Sequence, residues 1–248
     1  MDFEQIHRDT TMGKLLRFPL KAIPNQMTVP ILRGKLRGKQ WIVGSGRHGC
    51  WLGTYEYDNQ RVFEQWIKPG NVVFDIGAHV GFFTLLASSL VGNTGKVFAF
   101  EPLPRNLNYL KEHLQRNKVS NVEVIEAAVS EHCGETHLNQ SLSSYQNQIN
   151  DGGTLQVTKV CLDDLIEYDS FPVPDYIKID VEGHEKFVLK GAKKCLAQAH
   201  PTIFLSIHGR PVYQQCRQIL ESLDYRIKVL ASEVDGQLPK NLDLIAYY

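Results

Sequence analysis

From residue 71 onward, short unbroken apolar runs alternate with stretches in which apolar residues recur every three or four positions. "NVVFDIG" reads as a buried strand and "GFFTLLASSLV" as the helix after it. "GKVFAFEP" is a second strand. "PRNLNYLKEHLQRNKV" is a helix opened by Pro104, with Leu107, Leu110 and Leu114 at i, i+3 and i+7. "NVEVIEAAV" is a third strand, and "ETHLNQ" with "TLQVTKVCL" forms an antiparallel insertion. "DYIKIDVEG" is a fourth core strand, followed by one helix, "HEKFVLKGAKKCLAQA". "PTIFLSIHG" is a fifth, with "PVYQQCRQILESL" as its helix. "YRIKVLA" and "NLDLIAYY" are two last strands with no helix between them.

Before residue 61 the pattern is irregular. "MTVPILRGKLRGKQWIVGSG" suggests short strands joined at Gly34 and Gly38. "DNQRVFEQWIKPG" predicts a short helix with Val62, Phe63, Trp66 and Ile67 on one side, stopped by Pro69-Gly70.

Strand–helix alternation implies a parallel sheet covered on both faces, because parallel strands need crossovers. The last two strands are separated by about ten residues, too few for a helical crossover, so they pair antiparallel. The expected fold is α/β: a doubly wound, mostly parallel, seven-stranded Rossmann-like sheet with a C-terminal antiparallel strand, plus a short N-terminal extension. That ending points away from an ordinary NAD-binding domain and toward the sheet of S-adenosylmethionine (SAM) methyltransferases.

Composition changes this picture little. Apolar residues are 43% and charged residues 22% of 248, and Lys+Arg and Asp+Glu both number 27, so net charge gives no reason to expect nucleic acid. Between Thr10 and Tyr55 there is no acid, while Lys14, Arg17, Lys21, Arg33, Lys35, Arg37, Lys39 and Arg47 all fall there. A solvated basic surface is the expectation; an anionic substrate or membrane-surface patch is the alternative. The five cysteines form no CxxC pair, which supports neither a zinc ribbon nor a disulfide framework. The N-terminal sequence has no secretory pattern and no run of about 18 apolar residues occurs, so a cytoplasmic protein without a membrane span is expected.

Ligands of open α/β sheets sit beyond the carboxyl ends of the strands, where the strand order reverses. The turn after the first core strand reads D-x-G-x-x-x-G, not the G-x-G-x-x-G that brings a helix onto a pyrophosphate. Gly77 and Gly81 permit a sharp turn and close backbone approach. SAM has no phosphate; its amino-acid portion can meet this turn, with Asp75 on the amine side directly or through water. Glu101, ending the second strand, can accept from both ribose hydroxyls. Glu126 and Ala127 end the third strand and would flank the adenine, unless Glu126 is a surface residue. Tyr55 and Glu56 could close over the cofactor or simply pack.

"FDIGAHVGFFTLLAS", "VFAFEPLPRNLNYLKEHLQRN", "VTKVCLDDL" and "YIKIDVEGHEKFVLKGA" resemble the FkbM family of SAM-dependent methyltransferases. The resemblance covers roughly residues 50–210, and "WLGTYE" is similar to the segment leading into the family's first helix. His79 departs from it, since the family commonly has Asn in "DIGAN". The resemblance implies a class I methyltransferase fold, SAM as donor and usually an O-methylated product. The expected SAM contacts are Tyr55, Glu56, Asp75, Gly77, Ala78, His79, Gly81, Phe82, Glu101, Pro102, Glu126, Ala127 and Asp180.

A sugar hydroxyl is a poor nucleophile, so a base or metal is expected beside it. Asp180, Glu182 and His208, at the ends of the fourth and fifth strands, converge on one rim in this topology. His208 is the expected general base, unless it only terminates a strand, and Asp180 would orient it, contact the acceptor or touch the cofactor. The same three could ligate a divalent cation, although no metal is predicted. His184 and Glu185 are assigned to a helix start, and the remaining histidines, His113 among them, to the surface. Residues 1–60 are expected to cover the acceptor site, and residues 61–248 to form the SAM-binding domain with a β insertion near 135–160. "NQSLSSYQNQINDGG" within that insertion is expected to act as a mobile lid. The expected acceptor is a small molecule, most plausibly a saccharide or other polyhydroxylated metabolite. An NAD-dependent oxidoreductase and a non-catalytic SAM-binding scaffold are the alternatives.

Overall fold

The strands anticipated around Gly34 and Gly38 are β1 (Thr28–Pro30) and β2 (Gln40–Ile42), paired antiparallel. Two helices follow, α1 (His48–Leu52) and α2 (Tyr57–Trp66). The structure, a computed structural model, describes Leu20 and residues 23–138, 155–230 and 241–248. The expected lid at 139–153, and Lys14, Arg17 and Lys21 of the basic stretch, lie outside them.

The alternating part begins with β3 (Val72–Ile76), α3 (Phe82–Val91), β4 (Lys96–Phe100), α4 (Pro104–Arg116) and β5 (Val122–Ile125). Each strand feeds two cores: Val73 and Val97 enter one, while Phe74, Ile76, Phe98 and Phe100 enter the other. That division is what a sheet covered on both faces requires. The single third strand expected from the sequence is two, because the chain leaves the sheet at Glu126–Ala127. It re-pairs as β6 (Ala128–Val129) in a small sheet with β7 (Gly134–Leu138) and β8 (Leu155–Val160). β7 and β8 are antiparallel, as expected of the insertion.

Next come α5 (Leu162–Glu167), not anticipated, then β9 (Tyr176–Ile179) and the helices α6 (Glu185–Lys190) and α7 (Lys193–Ala199). β10 (Thr202–His208), α8 (Arg210–Glu221), β11 (Arg226–Val229) and β12 (Asn241–Tyr247) complete the order. The central sheet runs β5–β4–β3–β9–β10–β12–β11, and β12 alone is antiparallel to its neighbours. The last two strands do pair antiparallel, but β12 inserts between β10 and β11 rather than extending the edge.

The N-terminal segment is packed into the first core. Trp41 of β2 is fully buried and stacks on the His113 ring of α4, with centroids 3.8 Å apart. His113 was assigned to the surface by spacing alone; it is 0% exposed and joins three elements. Its Nε2 accepts the Ile42 N–H at 3.2 Å, and its Nδ1 faces the Val80 carbonyl at 2.8 Å, the pattern of a neutral ring protonated on Nδ1. Burial drives its pKa down to about 4. Beside it, the Asn117 amide pairs with both backbone groups of Gln40, at 2.7 and 2.9 Å.

His113→Ala should therefore destabilise the protein by about 2–4 kcal/mol at pH 7.5, since two buried backbone groups lose partners along with the stack. An unfolded His113 takes up a proton near pH 6.5, whereas the folded one resists until about 4. The wild-type advantage should thus be full above about pH 6.5 and shrink as the pH falls toward 4. Urea unfolding of both proteins across that range checks this, and a gap independent of pH would contradict it.

Candidate active site

The strand order reverses between β3 and β9, and the carboxyl ends there open onto a cavity of about 460 Å³. Behind its wall, Asp75 and Lys178 stand directly opposite each other in register. Lys178 Nζ lies 3.2 Å from Asp75 Oδ1 and 3.7 Å from Asp180 Oδ2, and donates to the Gly77 carbonyl at 3.4 Å. The Thr84 hydroxyl donates to Asp75 Oδ2 at 2.6 Å. Burial alone would lower the Lys178 pKa, but Asp75, Asp180 and Glu56 outweigh it and hold the ammonium above its ordinary value.

The turn after β3 is tied to the end of β4. The Gly77 and Ala78 N–H groups both donate to the Phe100 carbonyl at 3.0 Å, and the His79 N–H donates to Glu101 Oε2 at 2.8 Å. Gly77 has φ +79°, and a Cβ there would sit 1.9 Å from the Asp180 carbonyl oxygen. His79 has φ +52°, a left-handed conformation in which Asn, Asp and His are the side-chain-bearing residues most often found. This is why His can stand where the related motif carries Asn: the backbone shape and its N–H are kept. Glu101 is 4% exposed, and its other oxygen accepts from the Leu103 N–H at 2.9 Å and Asn106 Nδ2 at 3.3 Å. Burial raises its pKa to about 7 against the pull of those donors.

At the cavity's other end, His208 Nε2 lies 3.5 Å from Glu182 Oε2 and 3.9 Å from Asp180 Oδ1. Ligand atoms of these three residues lie within 4.8 Å of one another, so they could hold a cation. His208 Nδ1 is 2.8 Å from Glu185 Oε1, which also accepts the Gly183 N–H at 2.9 Å. Burial would lower the His208 pKa, but Glu185, Glu182 and Asp180 raise it to about 9. The surrounding carboxylates thus favour the charged form of the ring over the neutral base expected from the sequence. Glu182, at φ +52°, lines the cavity. Arg47, Tyr55 and Glu56 bring the N-terminal segment to the same cavity, and burial raises the Glu56 pKa.

Of the expected SAM contacts, Tyr55, Glu56, Gly77, His79, Glu101, Pro102, Ala127 and Asp180 line the cavity together with Glu182 and His208. Asp75, Ala78, Gly81, Phe82 and Glu126 do not. Asp75 lies beneath the turn, engaged by Lys178 and Thr84, and Phe82 packs edge-on against Trp41 and Tyr55. Ala78 is buried within the turn, and Gly81 faces Leu110. Glu126 is an exposed partner of Lys111 at 2.5 Å. His184 lines the cavity rather than merely capping a helix: its Nε2 is 3.0 Å from Ser130 Oγ, and burial lowers its pKa to about 4. Glu185 and Lys178 were missed as members of the site, and so were Ser206 and Asp243, which line it from β10 and β12. Only Lys178 left a trace in the sequence, as a lysine inside a buried apolar run.

The model of the methyltransferase FkbM domain family matches residues 75–227, more than half of the chain. Among curated proteins, the chain is 28% identical over 156 residues to the hexuronic acid methyltransferase AglP of Haloferax volcanii, covering 62% of this chain and 63% of that one. It is 40% identical over 68 residues to the 31-O-demethyl-FK506 methyltransferase FkbM of Streptomyces tacrolimicus, covering 27% and 25%. The match thus spans less than two thirds of either relative. Among solved structures, methyltransferase FkbM from Methylobacillus flagellatus superposes with a TM-score of 0.54 at 21% identity, covering 78% of this chain and 51% of that one. At that identity the likeness speaks for the fold.

The two glycines of the turn should differ in their tolerance of a methyl group. At Gly81 the added carbon meets a side-chain methyl, Leu110 Cδ1, at 2.5 Å, which can turn aside more readily than backbone, so Gly81→Ala should cost about 1–2 kcal/mol, mostly backbone strain. At Gly77 it meets a backbone carbonyl, so Gly77→Ala should cost about 2–5 kcal/mol. Urea denaturation of both variants gives the comparison; equal losses would contradict the contact with Asp180.

Proposed function

The chain belongs to the FkbM methyltransferase family, and from that premise we propose that it moves the methyl group of SAM onto a hydroxyl oxygen of a small polyhydroxylated acceptor, a saccharide first of all. The observation that carries this reading is the pairing of two unlike ends in one cavity. Glu101 and the glycine turn form one end, and Asp180, Glu182 and His208 form the other. The curated relative that methylates a hexuronic acid supports the choice of a sugar.

The residues present suit SAM. A cavity of about 460 Å³ falls within the range that encloses a ligand of that size. The buried Glu101 carboxylate keeps one acceptor position on Oε2 for a ribose hydroxyl beside its bonds to Leu103, Asn106 and His79. When bound, SAM supplies an electrophilic methyl on a sulfonium, which needs no covalent enzyme intermediate. The chain's task is then to align the acceptor oxygen and receive its proton. The carboxylates of Asp180 and Glu182, 3.9 and 3.5 Å from His208 Nε2, are the groups placed to take up that proton, with His208 beside them to share their charge. Tyr55, Glu56 and Arg47 cover the acceptor side and contribute to its selection.

Incubation with methyl-labelled SAM and a panel of hexoses, hexuronic acids and other polyols, followed by mass spectrometry, tests the activity. Transfer to an oxygen of any of them supports the proposal. SAM binding without product across the panel would favour a non-catalytic scaffold, and binding of NAD in place of SAM would favour an oxidoreductase. On the cofactor side, Glu101→Gln should weaken SAM roughly 5- to 150-fold, the equivalent of about 1–3 kcal/mol. Because ribose hydroxyls prefer the ionised carboxylate, SAM affinity of the wild type should fall as the pH drops through about 7. The variant should lose that dependence. Isothermal titration at pH 6, 7 and 8 reads both, and an unchanged, pH-independent affinity would remove Glu101 from the ribose site.

A further inference from the structure

We infer that Asp180, Glu182 and His208 form a binding site for a divalent cation of the Mg²⁺ or Mn²⁺ kind, which holds and polarises the acceptor hydroxyl. The inference rests on the cavity being the methyl-transfer site proposed above. Two carboxylates and an imidazole are a mixed oxygen and nitrogen donor set, suited to such ions. The His208 Nε2 distances of 3.5 and 3.9 Å to the carboxylates fit ligands of one ion. Two ligands about 2.1 Å from a shared ion lie roughly 3.0 Å apart at a right angle and at most roughly 4.2 Å apart.

Two further observations come from residues outside the trio. The first is Glu185, which is 0% exposed and holds His208 by Nδ1, leaving Nε2 as the ring atom that faces the two carboxylates. A carboxylate behind the far nitrogen of a histidine is the usual support of a metal-bound imidazole, fixing its tautomer and orientation. Such a buried carboxylate is costly to keep, and its Oε2 has no hydrogen-bond partner among the described residues. The second is Lys178, which lies on the Oδ2 side of Asp180 and so leaves Oδ1 toward His208. Each of these two ligands is thus braced from behind by a buried charged group.

The charge around the rim agrees. Glu56, Glu101 and Asp243 line the same cavity, so five carboxylates outnumber Arg47 on its wall and the Lys178 ammonium behind it, a balance that draws a positive ion. The ion would replace the Nε2 proton of His208, and its remaining positions would take water and acceptor hydroxyls. A polarised hydroxyl gives up its proton more readily, to the Glu182 carboxylate oxygen not engaged by the ion. As it does so, its oxygen bonds the methyl carbon and the carbon–sulfur bond of the donor breaks to leave a neutral thioether.

The test uses the full chain freed of metal with a chelator, with and without S-adenosylhomocysteine. Mn²⁺ is titrated in while the free-ion paramagnetic resonance signal is followed. One saturable site is expected, displaced by Mg²⁺, with modulation from a coupled imidazole nitrogen in the spin-echo spectrum of the bound ion. Glu182→Gln and His208→Gln should each weaken Mn²⁺ at least tenfold, and Glu185→Gln about tenfold, at unchanged affinity for S-adenosylhomocysteine. No saturable site at millimolar Mn²⁺, a site without the nitrogen coupling, or one indifferent to Glu182→Gln would each overturn the inference. The coupling is read on the wild type, so a variant that fails to fold cannot mask the answer. Failure to bind S-adenosylhomocysteine while Mn²⁺ still binds here would instead count against the proposed transferase activity.

Discussion

A lysine almost wholly withdrawn from water organises the centre of this protein. Lys178 projects from a strand buried on both faces, and its ammonium meets Asp75, Asp180 and the Gly77 carbonyl within 3.7 Å. A buried ion pair adds little net stability, because desolvation consumes most of the Coulombic gain, but removing one partner costs several kcal/mol. Its consequence is therefore geometric. One cation ties β3, the turn that follows it and the end of β9, while its charge also lies over the Phe83 ring of α3 at 5.5 Å. The turn cannot drift from the β9 rim without stranding a charge in the core.

The two ends of the cavity are tuned in different ways from that fixed point. At the turn, Glu101 is poised near neutrality by burial against three donors, so small changes in its surroundings decide whether it is charged. At the rim, carboxylates crowd one imidazole and raise its pKa, whereas burial lowers that of His184 a few residues away. The same cavity thus favours the charged form of one histidine and the neutral form of the other. Both follow from whether a carboxylate is within hydrogen-bond reach.

The alternation of strands and helices was legible because buried parallel strands leave unbroken apolar runs, and it predicted the antiparallel ending from a loop too short for a crossover. What escaped detection depends on partners distant in the chain. The helix expected over "HEKFVLKGAKKCLAQA" breaks after Lys190 because Gly191 lies against the backbone of Ser130, where a Cβ would come within 2.1 Å. No local pattern carries that contact. Glu185 looked like an ordinary first-turn acid, and only the position of His208, 23 residues later, gives it a partner. His113 lies in an amphipathic helix among polar neighbours, and its burial is imposed by Trp41 arriving from 72 residues earlier. Glu126 and Ala127 are consecutive, yet one reaches the cavity and the other the solvent, because the chain leaves the sheet between β5 and β6.

The inserted last strand gives the two ends of the cavity different origins. The turn, Glu101, Leu103 and Asn106 lie within 30 residues of one another and are joined by bonds between adjacent strands. The other end is built from remote pieces. Asp243 of β12 accepts from Ser206 of β10 at 2.6 Å and from Asn59 of α2 at 3.0 Å, and Asn59 reaches on to Glu56 at 3.3 Å. Because β12 lies between β10 and β11, its carboxylate stands beside the helix that leads into the domain, 184 residues away in sequence. On the proposed reading, the half that would grip the donor is local and compact, and the half that would recognise the acceptor is assembled from remote segments. A division of that kind lets one donor-binding frame serve many acceptors without disturbing the lysine on which it is centred.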